Sequence, residues 1–189
     1  MPPKVKTTKE DILRISLALL REQGESAINA RSIATALGCS TQPIFSNFST
    51  MEELQDAVRD AAYEHYLSFI QQELTTGKYP PYKAYGMAYV RFAKEEKQLF
   101  RVLFMRDRTD ADLSPSSDFE ESVTLIMNAN GVSRQTATKM HLEMWACVHG
   151  IGTMLATSFL PLAWETVSEI LSDVYFGIRS RHVTEEDAT

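Results

Sequence analysis

The sequence predicts an all-helical protein, and three observations lead to that fold class. Apolar residues recur at spacings of three and four almost throughout the chain, whereas the alternating pattern of strands is scarce. Helix start and stop signals separate these stretches, as at Gly77 followed by Pro80-Pro81. The chain has 189 residues, of which 44% are hydrophobic, so it is long enough for one large or two small domains.

The first helix is predicted to begin near Thr8 and to end at Gly24. Thr8 and Asp11 stand three residues apart, the spacing at which two side chains cap a helix start reciprocally. Apolar residues follow on one face, at Ile12, Ile15, Leu19 and Leu20. Gly24 supplies the C-terminal stop.

Two short helices and one long helix follow. Their predicted ranges are 30–37, 41–47 and 51–76. Gly38 closes the first of them, and Ser40 is expected to cap the second. Ser49 or Thr50 is expected to cap the long helix, which Gly77 ends.

Five more helices are predicted in the rest of the chain. Their ranges are near 82–95, 97–105, 117–129, 133–159 and 162–181. Gly131 and Pro161 separate the last three, and Ser133 caps the helix that follows Gly131.

Ile33, Ala34, Gly38 and Ile44 have the spacing of a helix-turn-helix. In this motif two short helices pack at a steep angle across a short turn. Their close approach needs a small residue, here Ala34, and the turn favours a glycine that tolerates positive φ, here Gly38. Ile33, Leu37 and Ile44 would seal the contact. Spacing alone also fits a helical hairpin within a bundle, so both interpretations stay open at this point.

A helix-turn-helix places the start of its second helix in the major groove of DNA. There Gln42 would read adenine through its amide, and Thr41 would contact a phosphate or a thymine methyl group. Asn47 would reach a base edge or the backbone, and Arg31 would lie near the phosphates. Pro43 is tolerated in the first turn because amides there lack helical partners.

Residues 8–54 resemble the DNA-binding domain of the tetracycline-repressor (TetR) family, most clearly over 28–54, INARSIATALGCSTQPIFSNFSTMEEL. The matching features are Ile33-Ala34, the turn Gly38-Cys39-Ser40, the aromatic pair Phe45 and Phe48, and Met51-Glu52-Glu53-Leu54. The resemblance implies a DNA-binding domain over 1–54 and a helical effector-binding and dimerisation domain over 55–189. It implies a DNA-binding surface made of Arg31, Ser40, Thr41, Gln42, Pro43, Phe45, Asn47 and Phe48. The long fourth helix joins the two domains, and a continuous helix can transmit a tilt.

Two positions depart from the family pattern. The family usually has a tyrosine where Phe45 stands, and a lysine where Met51 stands. Both usual side chains contact phosphates, which supply much of the affinity for DNA. We therefore expect weaker or less salt-dependent binding, with Lys4, Lys6 and Lys9 as candidates to compensate.

The C-terminal half resembles one TetR subgroup through Trp145, His149 and Gly150. In the family the last two helices form a homodimer, which would space two recognition helices about 34–36 Å apart on a palindromic operator. In the family a cavity between the body helices also holds a small effector, and methionine suits a largely apolar ligand. The candidate pocket residues are Met87, Tyr89, Phe92, Phe104, Met127, Trp145 and His149. Apolar residues at this spacing are also typical of an ordinary hydrophobic core, so that interpretation stays open.

Charge and composition narrow the function classes. The net charge is −6, yet residues 1–50 have six basic against four acidic side chains, a local +2. No apolar run is long enough to cross a membrane and no signal peptide is apparent, so we expect a cytoplasmic protein.

Cys39 and Cys147 are expected to be reduced thiols rather than a disulfide. His141 and His149 lie too far apart for one zinc ion, and we expect neither metal nor cofactor.

The sequence analysis thus favours a DNA-binding regulator, with repression as the family default. An enzyme is the first alternative, but no phosphate-binding glycine loop, HExxH or Gly-x-Ser-x-Gly motif is present. A helical adaptor that has lost DNA binding is the second, and the replaced tyrosine and lysine keep it open. Activation in place of repression would require a surface that contacts the polymerase.

Overall fold

The computed structural model describes residues 7–107 and 116–183, and its regular elements there are helices. These are α1 (Lys9–Gln23), α2 (Ala30–Leu37), α3 (Gln42–Asn47), α4 (Met51–Thr76), α5 (Pro81–Glu95), α6 (Lys97–Phe104), α7 (Ser117–Asn130), α8 (Arg134–Ala156) and α9 (Trp164–His182). The all-helical prediction is confirmed. The predictions for Lys4 and Lys6 fall outside the described residues.

The chain divides into two compact units. Among the described residues, the N-terminal unit comprises 7–65 together with 96–106, and the C-terminal unit comprises 66–95, 107 and 116–183. α4 contributes its first half to one unit and its second half to the other. The predicted division into functional domains at 54/55 stays a prediction.

The N-terminal unit is built on aliphatic side chains with local caps. Thr8 Oγ1 accepts a hydrogen bond from the Asp11 amide at 3.1 Å, and the Asp11 carboxylate accepts one from the Thr8 amide at 3.3 Å. This is the predicted reciprocal cap of α1. The buried core consists mainly of Ile12, Leu20, Ile28, Ile33, Ile44, Phe48, Leu54 and Val58. Burial of these apolar side chains supplies most of the stabilisation of the unit.

In the C-terminal unit, α5 is the central helix. It packs against α7, α8 and α9, and more than half of its residues are buried. Gly86 permits this packing, because a Cβ atom there would lie 3.3 Å from Leu171 Cδ1 and 3.6 Å from Val148 Cγ2. A second buried cluster joins α7 to α8 through Val123, Ile126, Val132, Ala137 and Met140.

Several helix boundaries differ from the sequence prediction. Ser40 does not cap α3; Thr41 occupies the N-cap position, without a side-chain bond. Pro43 explains this, because it removes one of the first-turn amides that a capping oxygen would bind.

The boundaries around α8 and α9 also move. α8 ends at Ala156 rather than near residue 159, since Ser158 adopts a left-handed φ of 58°, and α9 begins at Trp164 rather than 162. A single 3-10 turn, Glu25–Ala27, was not predicted from the sequence.

Candidate nucleic-acid interface and effector-binding residues

α2 and α3 form a helix-turn-helix with a glycine at the turn. Gly38 has φ 65° and ψ 32°, the left-handed conformation that a helix-ending glycine adopts without strain. The Cys39 amide after it donates to the Ala34 carbonyl oxygen at 3.0 Å and closes the end of α2. At the other end of α2, the Asn29 side chain accepts from the Ser32 amide at 3.0 Å. Both ends of α2 are therefore fixed by local hydrogen bonds.

One face of the motif is buried. Ile33 and Ile44 have no exposed surface, and Ala34 is 5% exposed, as a close helix contact requires. Leu37 is half-buried. Phe48, predicted as part of the DNA-binding surface, is only 1% exposed, so the structure places its ring inside the unit, where it supports α3.

The opposite face of the motif is open to solvent. Ser40, Thr41 and Gln42 are exposed, Phe45 is 49% exposed, and Pro43 is half-buried in the first turn. The structure thus brings most of the predicted DNA-binding residues together at one surface.

Asn47 is positioned differently from the other predicted contacts. It is half-buried, and its Nδ2 donates to the Pro43 carbonyl oxygen at 2.8 Å and to the Thr7 carbonyl oxygen at 3.4 Å. Its amide group therefore holds the end of α3 and links it to the chain just before α1.

The cations of the N-terminal unit differ in how they are paired. Arg14 binds Asp11 at 3.1 Å, and the pKa of Asp11 is lowered first by that hydrogen bond and then by the bonds with Thr8. Arg21 binds Glu96 at 2.9 Å. Lys9 Nζ lies 4.7 Å from the centre of the Phe48 ring. Arg31 is exposed at the start of α2 and forms no ion pair within residues 7–107 and 116–183, so its charge is available to a phosphate.

The start of α4 is acidic. Thr50, rather than Ser49, is the residue whose side chain caps α4, because its Oγ1 accepts from the Glu53 amide at 3.0 Å. The Glu53 carboxylate accepts in return from the Ser49 amide at 2.7 Å. Met51, where the family usually has lysine, is half-buried.

Three of the predicted effector residues meet in the C-terminal unit. The Tyr89 hydroxyl lies 2.8 Å from His149 Nδ1, and the Trp145 ring stacks on the His149 ring with 5.4 Å between centroids. Tyr89 is 4% exposed, His149 is half-buried, and Trp145 is 44% exposed. The group therefore extends from Tyr89 on α5, in the core of the unit, through His149 to Trp145 on α8, at its surface.

The other four candidates are spread over the two units. Met87 and Phe92 are fully buried, and Met127 packs against the cluster around Val123. Phe104 belongs to the N-terminal unit by its contacts. Sequence reasoning overlooked Tyr66, whose ring makes edge contacts with Tyr89 and Phe92 at centroid distances of 5.9 Å and 5.4 Å.

A second tyrosine–histidine pair was also overlooked. The Tyr82 hydroxyl lies 3.0 Å from His141 Nδ1, and the Phe119 ring meets the His141 ring edge-on at 4.8 Å. Burial lowers the pKa of His141 and of His149, which favours the neutral imidazole, and Nδ1 of a neutral imidazole can accept a hydrogen bond from the tyrosine hydroxyl. A usable signal was present, because the tyrosines are seven apart on α5 and the histidines eight apart on α8.

Large apolar side chains remain exposed on α8, on α9 and between them. They are Leu142, Trp145, Phe159, Leu160 and Phe176. Gly150 and Gly177, on the same two helices, have open space where a Cβ atom would stand. An exposed apolar set of this kind is typical of a protein–protein contact surface.

The comparisons with known proteins agree with this architecture. Residues 82–173 match the family model described as tetracyclin repressor-like, C-terminal domain. The fold is similar to that of a TetR-like transcriptional regulator from Rhodococcus sp. RHA1, with a TM-score of 0.68 and 13% identity over 96% of this chain and 98% of that one. No curated protein sequence matches the chain.

These features define first a class, an all-helical protein with an N-terminal helix-turn-helix. Residues 82–173 are similar to the C-terminal domain of tetracyclin repressor-like proteins, and the fold is similar to that of a TetR-like regulator, in agreement with the resemblance seen in the sequence. The matched structure is that of a transcriptional regulator, and at 13% identity it shows the fold that the two chains share. The subgroup signature at Trp145, His149 and Gly150 stays a prediction. Across the part of the chain that the structure describes, no helix is both long and apolar enough to span a bilayer.

Proposed function

We propose that this protein is a sequence-specific DNA-binding repressor that a small, largely apolar effector releases from its operator. One observation carries the proposal: Ile44 and Phe48 anchor the inner face of α3 in the core of the unit, while Gln42 and Phe45 are exposed to solvent. Such a helix can enter the major groove without any rearrangement of the unit that carries it. Access to DNA implies a cytoplasmic location.

Within this proposal the exposed residues have distinct roles. Gln42 reads adenine, since its amide offers the donor and acceptor pair that matches the adenine edge. Thr41 and Ser40 contact the backbone beside it, and Pro43 holds the first turn. Arg31 neutralises a phosphate, which contributes affinity without sequence preference. Phe48 and Asn47 position α3 from within the unit.

The protein acts as a homodimer through α8 and α9. The exposed side chains of Leu142 and Phe176 support this part of the proposal, because a monomer would leave them in water. Two-fold symmetry then requires a palindromic operator with half-sites one DNA turn apart.

The effector binds in the C-terminal unit, and Tyr89, His149 and Trp145 are the proposed polar and aromatic anchors. DNA binding and effector binding weaken each other by the same factor, as thermodynamic linkage requires. Repression follows from occupancy of the operator, which blocks the polymerase.

Selection of bound sequences from random duplex DNA, at two salt concentrations, tests the proposal. The expected result is a palindrome with half-site centres about 10 base pairs apart. Recovery of no sequence by a folded dimer would contradict DNA recognition and favour the adaptor alternative. The recovered operator then serves as the probe for an effector screen.

Two substitutions separate the proposed roles. Arg31→Ala is expected to weaken binding to every sequence equally and to lower the salt slope by about 1, whereas Gln42→Ala changes the sequence preference. Arg14→Ala is the matched control, because Arg14 is a neighbouring cation that is already paired with Asp11. The reverse pattern would overturn the assignment of roles.

A further inference from the structure

The outward face of α3 carries no charge. The helix sequence is Gln42-Pro43-Ile44-Phe45-Ser46-Asn47, and it contains neither a basic nor an acidic side chain. Contacts from this face to DNA must therefore use hydrogen bonds or apolar surface, and the cation at Arg31 belongs to the preceding helix.

Internal hydrogen bonds further reduce the number of α3 side chains that can contact DNA. The Ser46 hydroxyl donates to the Gln42 carbonyl oxygen at 2.9 Å, and the Asn47 amide donates to Pro43 and Thr7. These two polar side chains are engaged in holding the helix. Gln42 and Phe45 stand three residues apart, so they are neighbours on one face of the helix, and both are exposed.

Phe45 is more exposed than the other large apolar residues of the helix-turn-helix. Ile33, Ala34, Ile44 and Phe48 of the same motif are buried, yet the Phe45 ring keeps 49% of its surface in water. A phenyl ring can neither donate to a phosphate nor pair with a polar base edge. The apolar feature that the major groove offers is the C5-methyl group of thymine.

We infer that Phe45 is a specificity-determining residue that packs on a thymine methyl group, beside the adenine read by Gln42. The operator half-site therefore contains A·T pairs at two neighbouring positions in contact with α3. Recognition at these positions is independent of salt, because neither contact releases a counterion. This inference rests on the proposed DNA-binding function and specifies the chemistry of its target.

The experiment uses the full-length protein and the operator recovered by selection. Each thymine of one half-site is replaced in turn by deoxyuridine, which lacks only the methyl group, and the dissociation constant is measured with the wild type and with Phe45→Ala. At one thymine the wild type is expected to bind about fivefold more weakly, a loss of about 1 kcal/mol. Phe45→Ala is expected to bind the thymine and deoxyuridine operators equally, with an unchanged salt slope.

Two further variants make the result specific to Phe45. Gln42→Ala retains the sensitivity to the thymine methyl group and loses the preference for adenine. Phe45→Leu keeps an apolar side chain and retains part of the methyl sensitivity. Because Phe45 is exposed, its replacement is expected to leave the helical content by circular dichroism unchanged.

The outcomes separate this inference from the proposed function. The inference alone is overturned if removal of each thymine methyl group changes the dissociation constant of the wild type and of Phe45→Ala by the same factor. So does a recovered half-site with only G·C pairs under α3. Failure to select any sequence overturns the proposed function and the inference with it.

Discussion

The two units of this protein differ in where several of their polar groups find partners. In the N-terminal unit, Thr8 and Asn29 cap α1 and α2 by local hydrogen bonds near the surface. In the C-terminal unit, Tyr89 meets His149 and Tyr82 meets His141, pairs that join two helices far apart in the sequence. The capping groups of the first unit are exposed to water, whereas the second unit encloses tyrosine and histidine side chains.

This difference indicates which substitutions should destabilise each unit most. A cap that fails exposes backbone groups to water and has a modest cost. A buried polar group that loses its partner has no water to replace it, and the cost is larger. The four predictions below use this comparison and run from the largest expected effect to the smallest.

The largest effect is expected at Arg91 in the C-terminal unit. Its Nη1 lies 2.7 Å from Glu73 Oε1, its Nη2 donates to Gln72, and Glu73 is only 6% exposed. Arg91→Met leaves the Glu73 carboxylate buried without this cation, so we expect the free energy of unfolding to fall by about 4 kcal/mol. Urea denaturation at a fixed protein concentration measures the change.

The double variant Glu73→Leu/Arg91→Met is the control for Arg91→Met. It removes both charges, and we expect it to recover most of the lost stability. Arg14→Ala breaks the exposed pair with Asp11 in the other unit, and because water screens that pair we expect the free energy of unfolding to stay nearly unchanged. Equal losses for Arg14→Ala and Arg91→Met would contradict the comparison.

The next effect is expected at Ile44 in the N-terminal unit. Ile44→Ala leaves a cavity under α3 at a fully buried position and should cost about 3 kcal/mol. Amide hydrogen exchange should show the loss in α2 and α3, and operator binding should weaken with it. Unchanged exchange in α3 would show that the helix is held by something other than this packing.

A smaller effect is expected at the helix cap Thr8. Thr8→Ala removes the oxygen that accepts from the Asp11 amide, and we expect a loss of about 1 kcal/mol. Thr8→Ser keeps the oxygen and is the matched control. A loss of similar size in Thr8→Ser would show that the methyl group, not the cap, is responsible.

The smallest effect is a pH dependence that differs between the units. Burial lowers the pKa of His149 and His141 below the ordinary 6.5, and for His141 the Asp118 carboxylate opposes this in part. An unfolded histidine keeps its ordinary pKa, so below about pH 6.5 the unfolded state binds more protons than the folded state. The stabilisation that these two histidines contribute is therefore fully present above that pH. It is lost as the pH falls from about 6.5 through their lowered folded-state pKa values.

Urea denaturation at several pH values between 7.5 and 5 tests this, with His141→Asn/His149→Asn expected to flatten the dependence. In the N-terminal unit, the lowered pKa of Asp11 acts only in stronger acid, from its ordinary value of 3.8 downward. Arg14→Ala should therefore leave the curve between pH 7.5 and 5 unchanged. A dependence that survives in the double histidine variant would assign it to other groups.

The sequence alone determined the helices and most of their ends. The predicted ranges of α2 and α4 agree with the structure at both ends. Gly38 and Gly77 stop the two helices by their own backbone conformation, and the side chains of Asn29 and Thr50 cap their starts. The reciprocal cap at Thr8 and Asp11 and the buried seal at Ile33 and Ile44 were also predicted. Signals of this kind act within a few residues, so the sequence displays them directly.

Tertiary structure alone decided which side chains share a site. Phe48 and Phe45 belong to the same predicted aromatic pair, yet the first ring is buried and the second is exposed. Of the seven predicted effector residues, Tyr89, Trp145 and His149 meet, while Phe104 lies in the other unit. The physical reason is range: helix ends follow from local backbone bonds, whereas the neighbours of a side chain depend on how distant helices pack.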